Sequence, residues 1–232
     1  MNKLVSILLP TRKRVAMLED SLTSLLDKAG RPDQLELCIV YDDDDTESAE
    51  YFNSSDWQNF YSGYGCSVTV HCVPRWGYRD LHFYINYLAK HSTGKWLFFW
   101  SDDALMETPN WDAVIKANED YVGLLHIAAS NAPMRCSILP LFHSEWVKLF
   151  GCVSPINHAD SWISDISMAA GARRPIPVTV FHDRFEDSGR NQDETWNDKT
   201  AARDSNRDYN KPEYRIMRTQ WARQLSVYRA GK

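Results

Sequence analysis

Apolar residues in the first hundred positions come in short runs, each cut off by polar residues. Leu4 to Leu9 is one such run and ends in Pro10-Thr11; Met17, Leu18, Ser21, Leu22, Leu25 and Leu26 then recur at helical spacing up to the Gly30-Arg-Pro32 breaker. The pattern predicts strand, loop, helix. Leu35 to Tyr41 is again short and apolar, and it runs into Asp42-Asp-Asp-Asp45, which cannot continue a buried strand. A strand, helix, strand unit of this length implies a parallel pair with a right-handed crossover. Val68 to Val73 is expected as a third strand closed by Pro74. Leu81 to His91 suits a helix, and Trp96 to Trp100, after Gly94, a fourth strand.

The second half is less regular. Strands are expected around Leu124 to Ala128, Ser137 to Phe142 and Ile176 to Phe181, and a helix from Ser161 to Ala170. An α/β half followed by mixed elements fits one domain around a mixed central sheet. Asp183 to Tyr214 is polar and almost without aliphatic residues, which predicts a long loop or arm, and a short amphipathic helix is expected from Ile216 through Leu225.

At 232 residues with 44% hydrophobic content, the chain can bury one substantial core. Its formal net charge of −5 gives no global reason for tight nonspecific nucleic-acid binding, although a local basic patch is compatible with it. Cys38, Cys66, Cys72, Cys136 and Cys152 are odd in number and contain no CxxC pair, so neither a disulfide framework nor a zinc site is expected. A cytoplasmic protein is the natural reading. The apolar run at the N-terminus is too short for a signal segment, and no window approaches the roughly 18 apolar residues of a transmembrane helix.

Candidate chemistry follows from where the predicted strands stop. In open parallel sheets ligands bind beyond the carboxyl ends of the strands, so Thr11, Arg12, the Asp42 to Asp45 run and Ser101-Asp-Asp103 should converge on one crevice. Asp102-Asp103 offers hard oxygen ligands for a divalent cation, though acidic residues there would also suit a helix N-terminus. The four-aspartate run reads either as a solvated turn or as an acceptor for a base or ribose hydrogen bond. His182 directly follows an apolar strand.

In their order and spacing, Leu8-Leu-Pro-Thr-Arg12, Val40-Tyr-Asp-Asp43, Gly77 with Asn86, Thr93-Gly94, Phe99-Trp-Ser-Asp-Asp103, Asp160 and His182 resemble the family-2 glycosyltransferases of the GT-A fold, over roughly Leu4 to His182. The resemblance implies a single GT-A type α/β catalytic domain over 1–182, with a Rossmann-like nucleotide-binding half at about 1–104 and an acceptor half at about 105–182. A polar loop and basic C-terminal arm would fill 183–232. It implies donor-binding roles for Pro10, Thr11, Arg12, Arg14, Asp42, Asp43, Arg79, Ser101 and Asp103, with Asp42 or Asp43 reading a uracil-type base. Asp102 and His182 would hold Mn2+ or Mg2+. Asp160, in His158-Ala-Asp-Ser-Trp162, would be the catalytic base, with a helix N-cap as its structural alternative. Trp100 stands where the family often has its first aspartate, a departure from the pattern.

The reaction so implied is an inverting transfer of a sugar from a nucleoside-diphosphate sugar, a UDP-sugar favoured, to an acceptor hydroxyl on a glycan or other acceptor. Alternatives are a transferase acting on hydroxymethylated bases in DNA, a nucleotidyltransferase, and a nucleotide-sugar-binding module without catalysis. No glycine-rich phosphate loop with a following lysine succeeds the first strand, which counts against the nucleotidyltransferase. Lys199 to Lys232 holds nine basic residues against three acidic ones. That arm suits a lid over the donor diphosphate, a grip on an anionic acceptor such as DNA, or a solvated helix face. The aromatic residues Trp57, Phe60, Tyr61, Tyr64, Trp76 and Tyr78 are expected to divide between core and ligand stacking.

Overall fold

The computed structural model describes residues 3–131, 136–183, 193–202 and 208–232. Its strands are β1 (Val5–Pro10), β2 (Leu35–Asp42), β3 (Ser67–Val73), β4 (Trp96–Phe99), β5 (Ala104–Met106), β6 (Leu124–Ala129), β7 (Leu141–His143) and β8 (Arg173–His182). They form one sheet in the order β3-β2-β1-β4-β7-β6-β8-β5. The first four are mutually parallel, β7 runs antiparallel to β4 and to β6, and β5 closes the edge antiparallel to β8. The parallel half with its crossovers and the mixed second half are the arrangement expected from the strand and helix pattern.

Alternation along the strands divides the core in two. Val5, Ile7 and Leu9 of β1, Leu35, Leu37 and Ile39 of β2, and Trp96 and Phe98 of β4 point to one face, where Leu18, Leu22, Leu25 and Leu26 of α1 (Val15–Asp27) cover them. Leu8, Cys38, Val40 and Leu97 point to the other face. There they meet Ile85 and Leu88 of α4 (Leu81–His91) and Trp162, Ile163 and Ile166 of α7 (Ala159–Ala169). The remaining short helices are α2 (Thr46–Phe52), α3 (Ser55–Ser62), α5 (Trp111–Lys116) and α6 (Glu145–Phe150). All five cysteines are free.

Gly94 lets β4 enter beside β1. A methyl group at its α-carbon would lie 2.5 Å from both the Ser6 backbone nitrogen and Ser6 Oγ, and 2.9 Å from the Trp96 carbonyl oxygen. Neither backbone atom can yield without opening the ladder. Gly94→Ala is therefore expected to cost about 1–3 kcal/mol in urea denaturation; a value near zero would mean that the two strands part locally at no cost.

Two expectations are corrected. The strand expected from Ser137 to Phe142 is confined to β7, because Pro140 has no N–H to give to a ladder and Ser137 instead donates its N–H to Ser164 Oγ at 2.9 Å. The expected C-terminal loop and short helix contain two helices, α8 (Glu194–Ala201) and the 19-residue α9 (Pro212–Ala230). Ala222 and Leu225 of α9 are buried in the second core, and Trp221 stacks on Phe150 with ring centroids 4.2 Å apart. The last helix thus packs on the same core as α4 and α7. Arg203 and Arg207 of the basic arm lie outside the described residues. Among the described residues, no helix is long and apolar enough to cross a membrane.

Candidate active site

The carboxyl ends of β1, β2, β4 and β8 open into one cleft of about 260 Å³. Pro10, Thr11, Arg12 and Arg14 enter it from the β1–α1 loop, Asp42 from the tip of β2, and Ser101, Asp102 and Asp103 from the turn after β4. Asp160 in the first turn of α7 and His182 at the end of β8 complete the far wall. Asp43 and Arg79 are exposed and do not line the cleft, so the donor-binding role implied for them finds no support in their placement.

The aspartate run resolves into distinct roles. Asp42 is buried, accepts hydrogen bonds from Tyr84 Oη and from Arg12 Nη1 (3.0 Å), and lies where a base could be read. Burial pushes its carboxyl up, while Tyr84 and Arg12 pull it back. Tyr84 is held in turn by the backbone N–H groups of Trp76 and Gly77, at 2.8 and 3.0 Å. Asp44 pairs with Arg12 at the rim. Asp45 is fully buried and structural: it caps α2 through Ser48 N and accepts the Lys13 N–H at 2.8 Å. Lys13 has φ 51° and His158, before α7, has φ 68°. Left-handed backbone at non-glycine residues is costly, and these two flank this cleft, while a third, Asn110, lies before α5.

Opposite Asp42, Asp102 accepts from Thr11 Oγ1 and from Arg14 Nη1, each at 2.9 Å. Burial raises the Asp102 carboxyl well above its usual range, with Arg14 opposing. Asp103 is half-buried, and hydrogen bonds from His182 and Ser101 hold it below the ordinary value against the opposing effect of desolvation; His182 Nε2 stands 2.9 Å from Asp103 Oδ1. His182 is thus paired with Asp103, whereas the resemblance implied that it shares a metal ion with Asp102. Among the described residues no group of three or more His, Cys, Asp or Glu side chains is arranged to hold a metal. The chemistry of the set nevertheless suits one: two adjacent carboxylates and an imidazole whose Nδ1 is buried without a hydrogen-bond partner.

Trp100, at the position of the departure from the family pattern, is fully buried and donates its indole N–H to Ser21 Oγ at 2.8 Å. Ser21 Oγ donates to the Ala104 carbonyl at 2.6 Å, so α1 and the indole together pin the turn that carries Asp102 and Asp103. Trp100 therefore positions the acidic turn from beneath. Of the aromatic residues, Trp57, Phe60, Tyr61 and Tyr64 pack on the first core and Trp76 on the second, whereas Tyr78 faces the cleft.

Three contributors escaped the pattern of the sequence. Tyr84 sits on the apolar stripe of α4, where a phenol must find a polar partner, and that was its one available signal. The structural part of Asp45 is indistinguishable in sequence from its three neighbours. The third is α8: Thr195, Trp196, Asp198 and Lys199 line the cleft, and Asp193-Glu194 is the cap and acidic first turn that could have announced the helix.

No family model matches the chain. No curated protein is similar to it in sequence. Solved structures do match. The mannosyltransferase PcManGT from Pyrobaculum calidifontis, in complex with GDP-Man and Mn2+, superposes with a TM-score of 0.57 at 15% identity, over 98% of this chain and 87% of that one. S. aureus TarS superposes with a TM-score of 0.56 at 14% identity over 75% of this chain, which spans only 34% of TarS. The 1–349 piece of TarS in complex with UDP-GlcNAc gives 0.58 at 14% identity, over 78% of this chain and 56% of that one. With the four parallel strands of the first half, the mixed second half and the cleft at their carboxyl ends, these likenesses show that the chain has the GT-A type fold.

Proposed function

We propose that the chain is a glycosyltransferase that moves a sugar from a nucleoside-diphosphate sugar to an acceptor hydroxyl. One observation carries this: Thr11, Arg12, Arg14, Asp42, Asp102, Asp103, Asp160 and His182, from five separate stretches of sequence, line a single cleft at the strand ends of a GT-A type fold. The complexes of similar fold, with UDP-GlcNAc and with GDP-Man and Mn2+, support a nucleotide-sugar donor here.

Asp42 and Tyr84 serve the base end, with a uracil-type base favoured. Arg12 and Arg14 face the diphosphate. Asp160 takes the proton of the acceptor hydroxyl as that oxygen bonds to the anomeric carbon, and displacement from the face opposite the diphosphate inverts the configuration. Burial lifts the Asp160 carboxyl above its usual value, which strengthens it as a base. Asp102, Asp103 and His182 would hold Mn2+ or Mg2+, whose charge would offset that of the leaving diphosphate. A cytoplasmic setting and a glycan-type acceptor belong to this reading.

Thermal denaturation with UDP, GDP, their sugar conjugates and nucleoside triphosphates, each with and without Mn2+, tests it. At a ligand concentration of 100 times Kd, stabilisation of about 2.7 kcal/mol is expected, which moves Tm by several degrees. A rise with a nucleoside diphosphate or nucleotide sugar, enlarged by Mn2+, is the expected result. Stabilisation by triphosphates alone would replace the reading with a nucleotidyltransferase.

A further inference from the structure

Four cations stand along the rim of the cleft between β1 and β3, and carboxylates from the segment opening α8 engage all of them. Arg14 makes a two-pronged contact with Asp193, Nε to Oδ2 at 2.6 Å and Nη2 to Oδ1 at 3.0 Å. Glu194 accepts from Arg12 Nη2 at 3.0 Å and from Lys13 Nζ at 2.7 Å, and Arg75 Nη1 lies 3.0 Å from it. Arg75 Nη2 reaches Asp198 at 2.6 Å. The side chains of Arg12 and Arg14 are each only 10% exposed, so these are largely desolvated cations with acceptors brought to them by a distant stretch of chain. The occupant does not saturate its hosts: Arg12 Nε is buried and has no hydrogen-bond partner. Two adjacent carboxylates present four oxygens. The diphosphate of a nucleotide sugar matches their two charges and adds bridging and ester oxygens as further acceptors in the same span, and guanidinium groups favour phosphate by paired hydrogen bonds.

We propose that Arg12, Lys13, Arg14 and Arg75 form a diphosphate-binding cradle, and that Asp193 and Glu194 are its internal occupant, displaced when the diphosphate of the donor binds. This rests on the donor reading above and adds Lys13, Arg75 and the acidic start of α8 to it. The same contacts that seat α8 over the cleft are then the ones a donor must break, so the chain competes with its own ligand. Asp193 also caps α8, its Oδ1 accepting the Trp196 N–H at 2.9 Å, and that bond survives loss of the Arg14 contact. The helix can therefore leave the cradle without losing its cap.

The double variant Asp193→Asn, Glu194→Gln removes both charges, and asparagine keeps the cap. Inorganic pyrophosphate and UDP are titrated calorimetrically into the wild type and the variant, and hydrogen exchange of residues 194–201 is followed in the wild type. The variant is expected to bind both at least about ten-fold more tightly, and saturating pyrophosphate to speed exchange in 194–201. Adding Lys13→Gln or Arg75→Gln to the variant should weaken pyrophosphate again. Equal or weaker binding by the double variant, or slower exchange, overturns the proposal, because α8 would then clamp the anion and not compete with it. Pyrophosphate following the expected course while no nucleotide binds would uphold the cradle and its occupant and remove the donor reading. Nucleotides binding wild type and variant alike would leave the donor reading standing and remove the competition.

Discussion

Asp160→Asn is expected to lower kcat by about 10²–10⁴-fold, the usual range for loss of a general base, while the Kd for UDP changes less than two-fold. The base acts on the acceptor side of the cleft, and the donor contacts of Thr11, Arg12, Arg14 and Asp42 come from other elements. The pH profile supplies a second readout. Burial raises the Asp160 pKa, so turnover should fall as the pH drops through a value above that of an ordinary aspartate. The sign for stability is the opposite of that of an ion-paired aspartate. A folded pKa above the unfolded one stabilises the fold below the unfolded value, and that contribution is lost as the pH rises through the folded value. At neutral pH the ionised, desolvated carboxylate is thus a cost, and Asp160→Asn should raise Tm as it removes activity. An Asn variant with normal turnover would move the base elsewhere; one with lower Tm would mean that Asp160 mainly stabilises the first turn of α7 as a carboxylate at a helix N-terminus.

Leu225→Ala is expected to destabilise the protein by about 3 kcal/mol, within the range for emptying a buried leucine site, and so to lower Tm by roughly 6–12 °C. Leu225 is 1% exposed, and α9 packs its inner face on α7, where Trp162 meets Trp221 edge to face at 5.3 Å between centroids. Two turns of one helix thus close the core under the candidate base. Val227, on the same helix and 68% exposed, provides the control, because its replacement by alanine should stay within about 0.5 kcal/mol of the wild type. If Leu225→Ala were as mild as Val227→Ala, α9 would be an accessory segment and the domain would end near His182. Denaturation by urea and by heat decides between these outcomes.

Much of the parallel half was legible because its signals are local. Apolar runs at β1, β2 and β4, each ending in polar residues, identify buried parallel strands and the end at which they open, while β3 is their half-exposed edge. The stripe of α1 and that of α4 follow from the 3.6 period within single segments. The positions of Thr11, Arg12, Asp42, Asp102 and Asp103 at one edge follow from the same reading.

The remaining decisions depend on partners far apart in the chain. Nothing near Asp45 distinguishes it from Asp42; burial of one beneath the β1–α1 loop and of the other against Tyr84 does. Trp100 falls on the core face with Trp96 and Phe98 by the alternation of the strand, but its hold on the acidic turn through Ser21 needs α1 beside it. The polar composition of 193–201 reads as loop because a helix anchored by ion pairs carries no apolar stripe, and its anchors Arg12, Arg14 and Arg75 lie more than a hundred residues away. The sequence by itself determined the parallel half, its face-to-face alternation and the edge where the acidic and basic residues emerge, since these rest on periodicity and on residues that cannot enter a buried strand. Only the tertiary structure decided that His182 pairs with Asp103, that Asp43 and Arg79 stand outside, that α9 completes the core, and that α8 sits on the cations of the cleft. Those outcomes are set by which charged and aromatic side chains find one another across folded elements, where the gain from pairing a desolvated group outweighs local preference.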